Sequence, residues 1–192
     1  MLEALAVASI PDEVLVPRAR QGDPAAREEL FLRHRDDAYR TAYRLLGDEH
    51  DALDVVQESL LKAFARLDEF DGRGGFRFWL LRIVTNTALD QGRRRKRSKL
   101  VKLDGEPTSP SPDDDPARGL QRNDLRRALD AALDRLSPIL RATFVMFAEA
   151  GLSYKEIAEA QDVPIGTVMS RINAARRKLQ ETLDWDRLKG LD

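Results

Sequence analysis

The chain has 192 residues, of which 42% are hydrophobic and 34% charged, and it contains no cysteine. This length and composition fit one or two packed helical domains and exclude a wholly disordered chain. The lack of cysteine excludes disulfide scaffolds, thiolate metal sites and cysteine catalysis. No apolar run approaches the ~18–20 residues of a membrane span, and the apolar start has no basic secretory leader. We therefore expect a cytoplasmic protein without membrane insertion.

Charge is distributed unevenly along the chain, although the formal net charge is only −1. Residues 93–102 read RRRKRSKLVK, whereas residues 103–117 read LDGEPTSPSPDDDPA and contain no Lys or Arg. The second composition cannot bury enough apolar surface to fold, which predicts a flexible, acidic, proline-rich linker. We place this linker at 98–122, between an N-terminal helical domain at 1–97 and a C-terminal domain at 123–192.

Helical periodicity dominates the N-terminal domain, and no strand-like alternation is found there. Helices are expected near 24–46, through 51–66 and from Phe76 onward, with a flexible Gly-rich loop at 71–75. The middle helix is predicted to bury one apolar stripe, formed by Leu53, Val56, Leu60, Phe64 and Leu67. The last helix is predicted to bury Phe76, Leu80, Ile83 and Thr87, and Trp79 is expected to pack in the core. An exposed polar edge follows Arg82, Asn86 and Arg93 into the basic segment.

The C-terminal domain has the pattern of four helices that end in a helix-turn-helix. Asn123 can cap a first helix through Leu136, and Ser137-Pro138 can start a second helix that ends at Gly151. Ser153 and Glu156 predict a capping box for the helix Tyr154–Ala160. After a break at 162–164, a fourth helix would bury Val168, Ile172, Ala175 and Leu179. A short helix, a tight turn and a longer basic helix together predict a DNA-binding motif.

The last helix presents polar and basic side chains suited to the DNA major groove. Arg171 is the strongest candidate for a base or phosphate contact. The alternative is a solvated polar face on a packed helical hairpin, and the same alternative applies to the basic segment 93–102. No site for catalysis is predicted, because His34 and His50 are isolated and the sequence has no phosphate loop or nucleophile elbow. We expect no enzymatic activity, no metal and no cofactor.

Three segments in fixed order resemble one family: DALDVVQESLLKAF, FRFWLLRIVTNTALD followed by RRRKR, and LSYKEIAEAQDVPIGTVMSRINAARRKL. Over about residues 12–183 the chain resembles the extracytoplasmic-function (ECF) group of bacterial RNA polymerase sigma factors. The resemblance implies an all-α fold of two small helical domains. It also implies a sigma factor that binds core RNA polymerase and directs promoter recognition, melting and transcription initiation, and that has an anti-sigma factor as a further partner.

The resemblance, together with the exposed polar edges, yields three sets of predicted contact residues. The set for core polymerase is Asp51, Asp54, Gln57 and Glu58. The set for the minus-ten element is Arg73, Arg82, Asn86, Asp90, Arg93 and Arg94, and the loop 68–75 would capture an unstacked promoter base. The set for the minus-thirty-five element is Thr167, Ser170, Arg171, Asn173, Arg176, Arg177 and Lys178. The linker carboxylates would lie toward the RNA exit path and mimic RNA phosphates.

Two other functions remain open from the sequence alone. A stand-alone helix-turn-helix regulator with an N-terminal helical sensing domain would bind DNA as the free chain and would have a ligand pocket. A helical adaptor that binds only protein would have no effect on DNA. Run-off transcription with core RNA polymerase separates these possibilities.

Overall fold

The computed structural model describes residues 10–101 and 128–182, and for residues 96–101 only the backbone. Within these two stretches every regular element is a helix, as predicted for an all-α protein. None of the helices described there is long and apolar enough to cross a membrane.

Four helices and a 3-10 turn form the N-terminal domain, and local sequence explains where they begin and end. They are α1 (Asp12–Arg20), α2 (Pro24–Leu46), α3 (Glu49–Ala65), the 3-10 turn Leu67–Glu69 and α4 (Gly75–Val101). Asp23 caps α2 by accepting hydrogen bonds from two backbone N–H groups, and Pro24 takes the first helical position. Gly47 ends α2 in the left-handed conformation, at φ 69°. Asp48 then caps α3.

The core of this domain lies where α1 to α4 meet. Its largest fully buried side chains include Leu15, Leu30, Val55, Phe76 and Leu80. Trp79 is half-buried and packs with its ring centroid 5.4 Å from that of Phe70. Of the predicted inner face of α4, Phe76, Leu80 and Thr87 are buried as expected, and Ile83 is half-buried against the same core as Trp79.

The buried face of α3 differs from the predicted stripe. Leu53 is 44% exposed, whereas Ala52, Val55, Ser59 and Ala63 are fully buried. Small side chains let neighbouring helices approach closely. The line along which α3 packs against its neighbours therefore runs through Ala52, Ser59 and Ala63, and Leu53 lies at the edge of this contact. The prediction that Leu53 is buried was therefore wrong, and Phe64 is only half-buried, while Val56, Leu60 and Leu67 are buried as expected.

The described part of the C-terminal domain contains α5 (128–134), α6 (Pro138–Ala148), α7 (Tyr154–Gln161) and α8 (Ile165–Thr182). Ser137 caps α6 through the backbone N–H of Leu140, at 3.5 Å, as predicted. The helix ends at Ala148 rather than at the predicted Gly151, which lies in the following turn with φ 67°. The predicted cap Asn123 lies outside the described residues.

The helix α4 continues four residues past the predicted end of the N-terminal domain, to Val101. Arg and Lys have good helix propensity, and their positive charge interacts favourably with the C-terminal end of a helix dipole. The basic segment therefore extends the helix into the first part of the predicted linker. Residues 102–122 of that linker lie outside the described residues.

The C-terminal domain packs against α2 and the first turns of α4. Phe78 and Leu81 of α4 belong to one apolar cluster with Met146 and Leu152. Beside this cluster, Arg77 donates a hydrogen bond from Nη1 to the backbone carbonyl of Ala150, at 2.7 Å. The described helices therefore form one packed body in this structure.

Candidate nucleic-acid and protein interfaces

The pair α7 and α8 has the geometry of a helix-turn-helix. The backbone N–H of Ser153 donates to Oε2 of Glu156 at 2.8 Å, and the Ser153 side chain accepts from the Glu156 backbone, which completes the predicted capping box. Asp162 ends α7 in the left-handed conformation, with φ 51°. Aspartate tolerates this region better than most residues, so the chain turns sharply into α8.

The buried stripe of α8 is the predicted one, formed by Val168, Ile172, Ala175 and Leu179. This anchoring leaves the opposite side free for contacts. Of the residues predicted to contact the minus-thirty-five element, those exposed are Ser170, Asn173, Arg176, Arg177 and Lys178, and those half-buried are Thr167 and Arg171. The prediction that Thr167 and Arg171 are freely exposed was therefore only partly correct.

Two basic side chains of α8 have partners within the domain. Nη1 of Arg171 donates a hydrogen bond to Oε1 of Gln161, at 2.7 Å. The guanidinium carbon of Arg176 lies 5.1 Å from the ring centroid of Phe147, which is a cation–π distance. Both cations therefore have a defined direction before any nucleic acid binds.

A second exposed row lies on α4 and contains Arg82, Asn86, Asp90 and Arg93. Residues spaced by three and four positions share one helix edge, and this row extends over ~16 Å at ~1.5 Å per residue. Asp90 lies 3.6 Å from Nη1 of Arg93 in a solvent-exposed ion pair. Arg94 is also exposed, so the predicted set presents three guanidinium groups on this helix.

Beside α4, the loop 71–75 borders a cleft of about 330 Å³. Phe70 and Phe76 line this cleft together with Val16 and Arg20 of α1. Arg73 is exposed and pairs with Asp71, whose pKa is lowered by hydrogen bonds from the Arg73 backbone and side chain. Gly74 cannot be replaced without rearrangement, because a Cβ there would lie 2.5 Å from Cδ1 of Phe78.

The outer face of α3 holds the residues predicted to contact core polymerase. Asp54 and Gln57 are exposed, and Glu58 is half-buried with an ion pair of 2.6 Å to Lys62. Asp51 is already engaged, since its carboxylate accepts a hydrogen bond from Gln91 at 3.1 Å and pairs with Arg95. The structure therefore brings three of the four predicted residues to one open face and holds Asp51 against α4.

Two residues of these surfaces were not predicted from the sequence. Leu61 is 72% exposed on the outer side of α3, one turn beyond Gln57. Successive residues of an α-helix are ~100° apart, so Leu61 lies on the side of α3 opposite Ala52 and Ser59. Its exposure could therefore have been predicted from the positions of these small residues. Gln161, which binds Arg171, carries no comparable signal, because a polar residue at the end of a surface helix is ordinary.

Two family models match this chain: one described as Sigma-70 region 2 over residues 30–98, and one described as Sigma-70 region 4 over residues 126–179. The ECF RNA polymerase sigma-E factor of Haemophilus influenzae is 33% identical over 182 residues, covering 91% of this chain and 96% of that relative. The chain belongs to the ECF sigma factors. SigE of Mycolicibacterium smegmatis is 40% identical over 166 residues, covering 84% of this sigma factor and 64% of that longer relative.

Two solved structures are similar to this sigma factor. CnrH, determined in complex with the cytosolic domain of CnrY, has a TM-score of 0.68 and 30% identity, and the match covers 91% of this chain and 98% of CnrH. RpoE of Bartonella quintana, in complex with the anti-sigma factor NepR, has a TM-score of 0.68 and 28% identity, with 81% of this chain and 94% of RpoE covered. The region 2 match includes most of α2 and all of α3, and the region 4 match includes α6, α7 and most of α8.

Proposed function

We propose that this ECF sigma factor binds core RNA polymerase and contacts its promoter through two separate helices. The observation that carries this proposal is the pair of exposed polar rows, one on α4 and one on α8, each fixed by a buried apolar stripe on the opposite side. The N-terminal domain, predicted at 1–97, would serve the minus-ten element. The C-terminal domain, predicted at 123–192, would serve the minus-thirty-five element.

For the minus-thirty-five element, α8 would lie in the major groove. Its diameter of ~10–12 Å matches a groove ~12 Å wide, where arginine can bind guanine through two hydrogen bonds. Arg171 and Asn173 would contact base edges near the start of the helix. Arg176, Arg177 and Lys178, about one to two turns further along, would bind backbone phosphates.

For the minus-ten element, the row Arg82, Asn86, Asp90 and Arg93 would lie along the promoter, with Arg94 and Arg73 on phosphates. The cleft beside the loop 71–75 supports capture of an unstacked base. Phe70 and Phe76, which are almost wholly buried, form an apolar wall of this cleft, and the carboxylates of Asp12 and Asp71 can accept hydrogen bonds from an exocyclic amine. Base capture of this kind favours local melting, because the removed base no longer stabilises the duplex.

Core polymerase would bind the outer face of α3. Asp54, Gln57 and Glu58 would contribute polar contacts, and the exposed Leu61 would add apolar area one turn further along the same face. Asp51 would take part through its pair with Arg95, by holding the N-terminal end of α3 against α4.

The mode of regulation is inferred from a similar protein. We infer an anti-sigma factor as a partner, because RpoE of Bartonella quintana forms a complex with the anti-sigma factor NepR. We further propose that the chain acts in the cytoplasm, where its polymerase partner is found, and that it has no catalytic activity of its own. Initiation chemistry would belong to the polymerase.

Run-off transcription with purified core polymerase tests the proposal. The full chain should direct transcription from a subset of promoters in a library randomised in both elements, and core alone should not. Binding of the free chain to promoter DNA at high affinity, with no effect of core polymerase, would instead support a stand-alone regulator.

A further inference from the structure

Gln161, the last residue of α7, links three helices through its side-chain amide. Its Oε1 accepts the hydrogen bond from Nη1 of Arg171 at 2.7 Å. The hydroxyl of Thr143 on α6 lies 3.0 Å from the same oxygen. Its Nε2 lies 3.7 Å from Sδ of Met146, also on α6. Thr143 and Met146 are buried, so the amide is seated on a fixed surface.

The orientation of this amide follows from the donors around it. Arg171 can only donate, so the oxygen of Gln161 must face its guanidinium. The hydroxyl of Thr143 has one proton, which it can donate either to Oε1 of Gln161, at 3.0 Å, or to the carbonyl of Ile139, at 2.8 Å. The bond from Arg171 is charge-assisted and the shorter of the two at 2.7 Å, so it is the stronger polar contact of the amide oxygen.

This bond occupies one side of the Arg171 guanidinium and leaves the other side open. A guanidinium has five N–H donors, and two neighbouring ones can bind a pair of acceptors. Among the described residues, Arg171 makes no other hydrogen bond or ion pair. Its Nε and Nη2 groups are thus available for the two acceptors of guanine or for a phosphate.

We propose that Gln161 is a positioning residue for promoter recognition: it holds Arg171 in the conformation that contacts the minus-thirty-five element. The proposal rests on the proposed role of α8. Its physical basis is that a long side chain loses rotamer freedom when it binds, and a side chain already held by the protein loses less. Removing the hydrogen bond between Gln161 and Arg171 should reduce discrimination between bases by about 2- to 12-fold. This range corresponds to the ~0.5–1.5 kcal/mol that ordering one side chain costs on binding.

The test uses holoenzyme assembled from core polymerase and the full chain, with a promoter library randomised in the minus-thirty-five element. Transcripts are sequenced, and the enrichment of the preferred base over the others is measured at each position. Gln161→Met keeps the length of the side chain and removes the acceptor, so enrichment should fall at the position that Arg171 contacts. Gln161→Glu keeps the acceptor, so enrichment should be retained although its charge lowers total DNA binding.

Arg171→Ala and the double variant Gln161→Met/Arg171→Ala separate a positioning role from a structural one. In the Arg171→Ala background, Gln161→Met should cause no further loss of enrichment. An equal loss in both backgrounds, or unchanged enrichment for Gln161→Met when Arg171→Ala reduces it, would overturn the proposal. Unchanged enrichment for Arg171→Ala itself would instead overturn the role of α8 in base recognition.

Thr143→Val is the matched structural control. It changes the buried surface against which the Gln161 amide packs, but it keeps the Gln161 oxygen that accepts the hydrogen bond from Arg171. We expect a lower melting temperature and unchanged enrichment. Gln161→Ala is the second truncation and should lose enrichment as Gln161→Met does. If Thr143→Val loses as much enrichment as Gln161→Met, the effect arises from packing and the proposal fails.

Discussion

The Nε group of Arg141 donates a hydrogen bond to the backbone carbonyl of Arg44, 2.6 Å away and 97 positions earlier in the chain. Arg141 belongs to α6 and Arg44 to the last turn of α2, so this bond joins the two domains directly. Arg141 is only 9% exposed and also pairs with Asp134. The Arg44 side chain in turn pairs with Asp130 and lies 3.7 Å from Glu149. The contact between domains is thus both apolar and charged.

This packed arrangement cannot serve both promoter elements at once. Elements centred near positions −10 and −35 are about 25 base pairs apart, or roughly 85 Å at about 3.4 Å per step. A packed body of about 150 residues has a radius of gyration of only ~15 Å. We therefore expect the packed arrangement in the free chain and a separated arrangement on the promoter.

Reversing the charge of Arg44 should open the free chain. Arg44→Glu would face the carboxylates of Asp130 and Glu149, and the loss of charge-assisted hydrogen bonds costs about 1.5–3 kcal/mol. The sequence contains no cysteine, so Ala65→Cys and Gln180→Cys allow two dyes to be attached at exposed sites. Energy transfer between the dyes should fall in the Arg44→Glu chain.

Arg35→Glu is the control for this experiment, because Arg35 lies exposed on the same helix and pairs only with the exposed Asp36, at 3.4 Å, among the described residues. It changes net charge equally and should leave energy transfer as in the parent chain. Equal energy transfer in all three chains would show that the charged contacts do not hold the domains together.

Local patterns predicted most of the fold, whereas contacts between distant segments were not predictable. The capping box of Ser153 and the left-handed Asp162 depend on residues within a few positions of each other, so the sequence alone identified the helix-turn-helix. Leu53 was placed wrongly because the face that a helix buries depends on its neighbours. The bond from Arg141 to the Arg44 carbonyl depends on domain packing, for which sequence periodicity has no signal.

The outer face of α3 should be required for binding to core polymerase. Gln57→Ala combined with Glu58→Ala removes one exposed and one half-buried polar side chain and no residue of the buried core, so the fold should persist. We expect at least a 5-fold weaker association, since contacts at the centre of an interface typically cost more than ~1 kcal/mol each when truncated. Asp36→Ala is the control, because the Asp36 side chain on α2 is 76% exposed. This variant should bind core polymerase as the parent does. Unchanged binding of the double variant would remove this face from the interface.

Truncation of Arg171 and truncation of Arg176 should affect DNA binding in different ways. Arg171→Ala should lower discrimination at one base of the minus-thirty-five element, by ~1–3 kcal/mol if the arginine binds guanine through two hydrogen bonds. Arg176→Ala should weaken binding to all sequences alike and make the dependence of affinity on salt shallower by about one phosphate contact. Holoenzyme binding to matched and scrambled elements at several salt concentrations distinguishes the two effects. Identical behaviour of both variants would contradict the division into base and phosphate contacts.

The carboxylate of Asp12 should make the stability of the N-terminal domain depend on pH in acid. It accepts a hydrogen bond from Nη1 of Arg33 at 2.7 Å and lies 2.7 Å from Nε2 of the buried His34. Burial raises the pKa of Asp12, but the contacts with His34 and Arg33 outweigh burial and hold the pKa below its ordinary value of 3.8. Glu29, which also pairs with Arg33, is the other carboxylate at this cluster.

The sign of the effect follows from proton binding. Below pH 3.8 the unfolded chain binds the proton first, so stability falls as the pH drops through the lower pKa of the folded state. Above pH 3.8 the full contribution of Asp12 is present. Asp12→Asn should therefore destabilise the domain at pH 7 by about 1.5–3 kcal/mol, the range for hydrogen bonds to charged groups, and by progressively less as the pH falls below 3.8.

Urea unfolding at pH 7 and near pH 2.5 measures this difference. Trp79 reports on the N-terminal core, and Trp185→Phe removes the other tryptophan of the chain. Asp36→Asn is the control, because its exposed carboxylate should give the parent's stability at both pH values. The free energies of unfolding of Asp12→Asn and its parent should converge in acid, because protonation of Asp12 removes the negative charge in the parent that the substitution has already removed. A constant gap between them at both pH values would mean that Asp12 contributes through shape rather than charge.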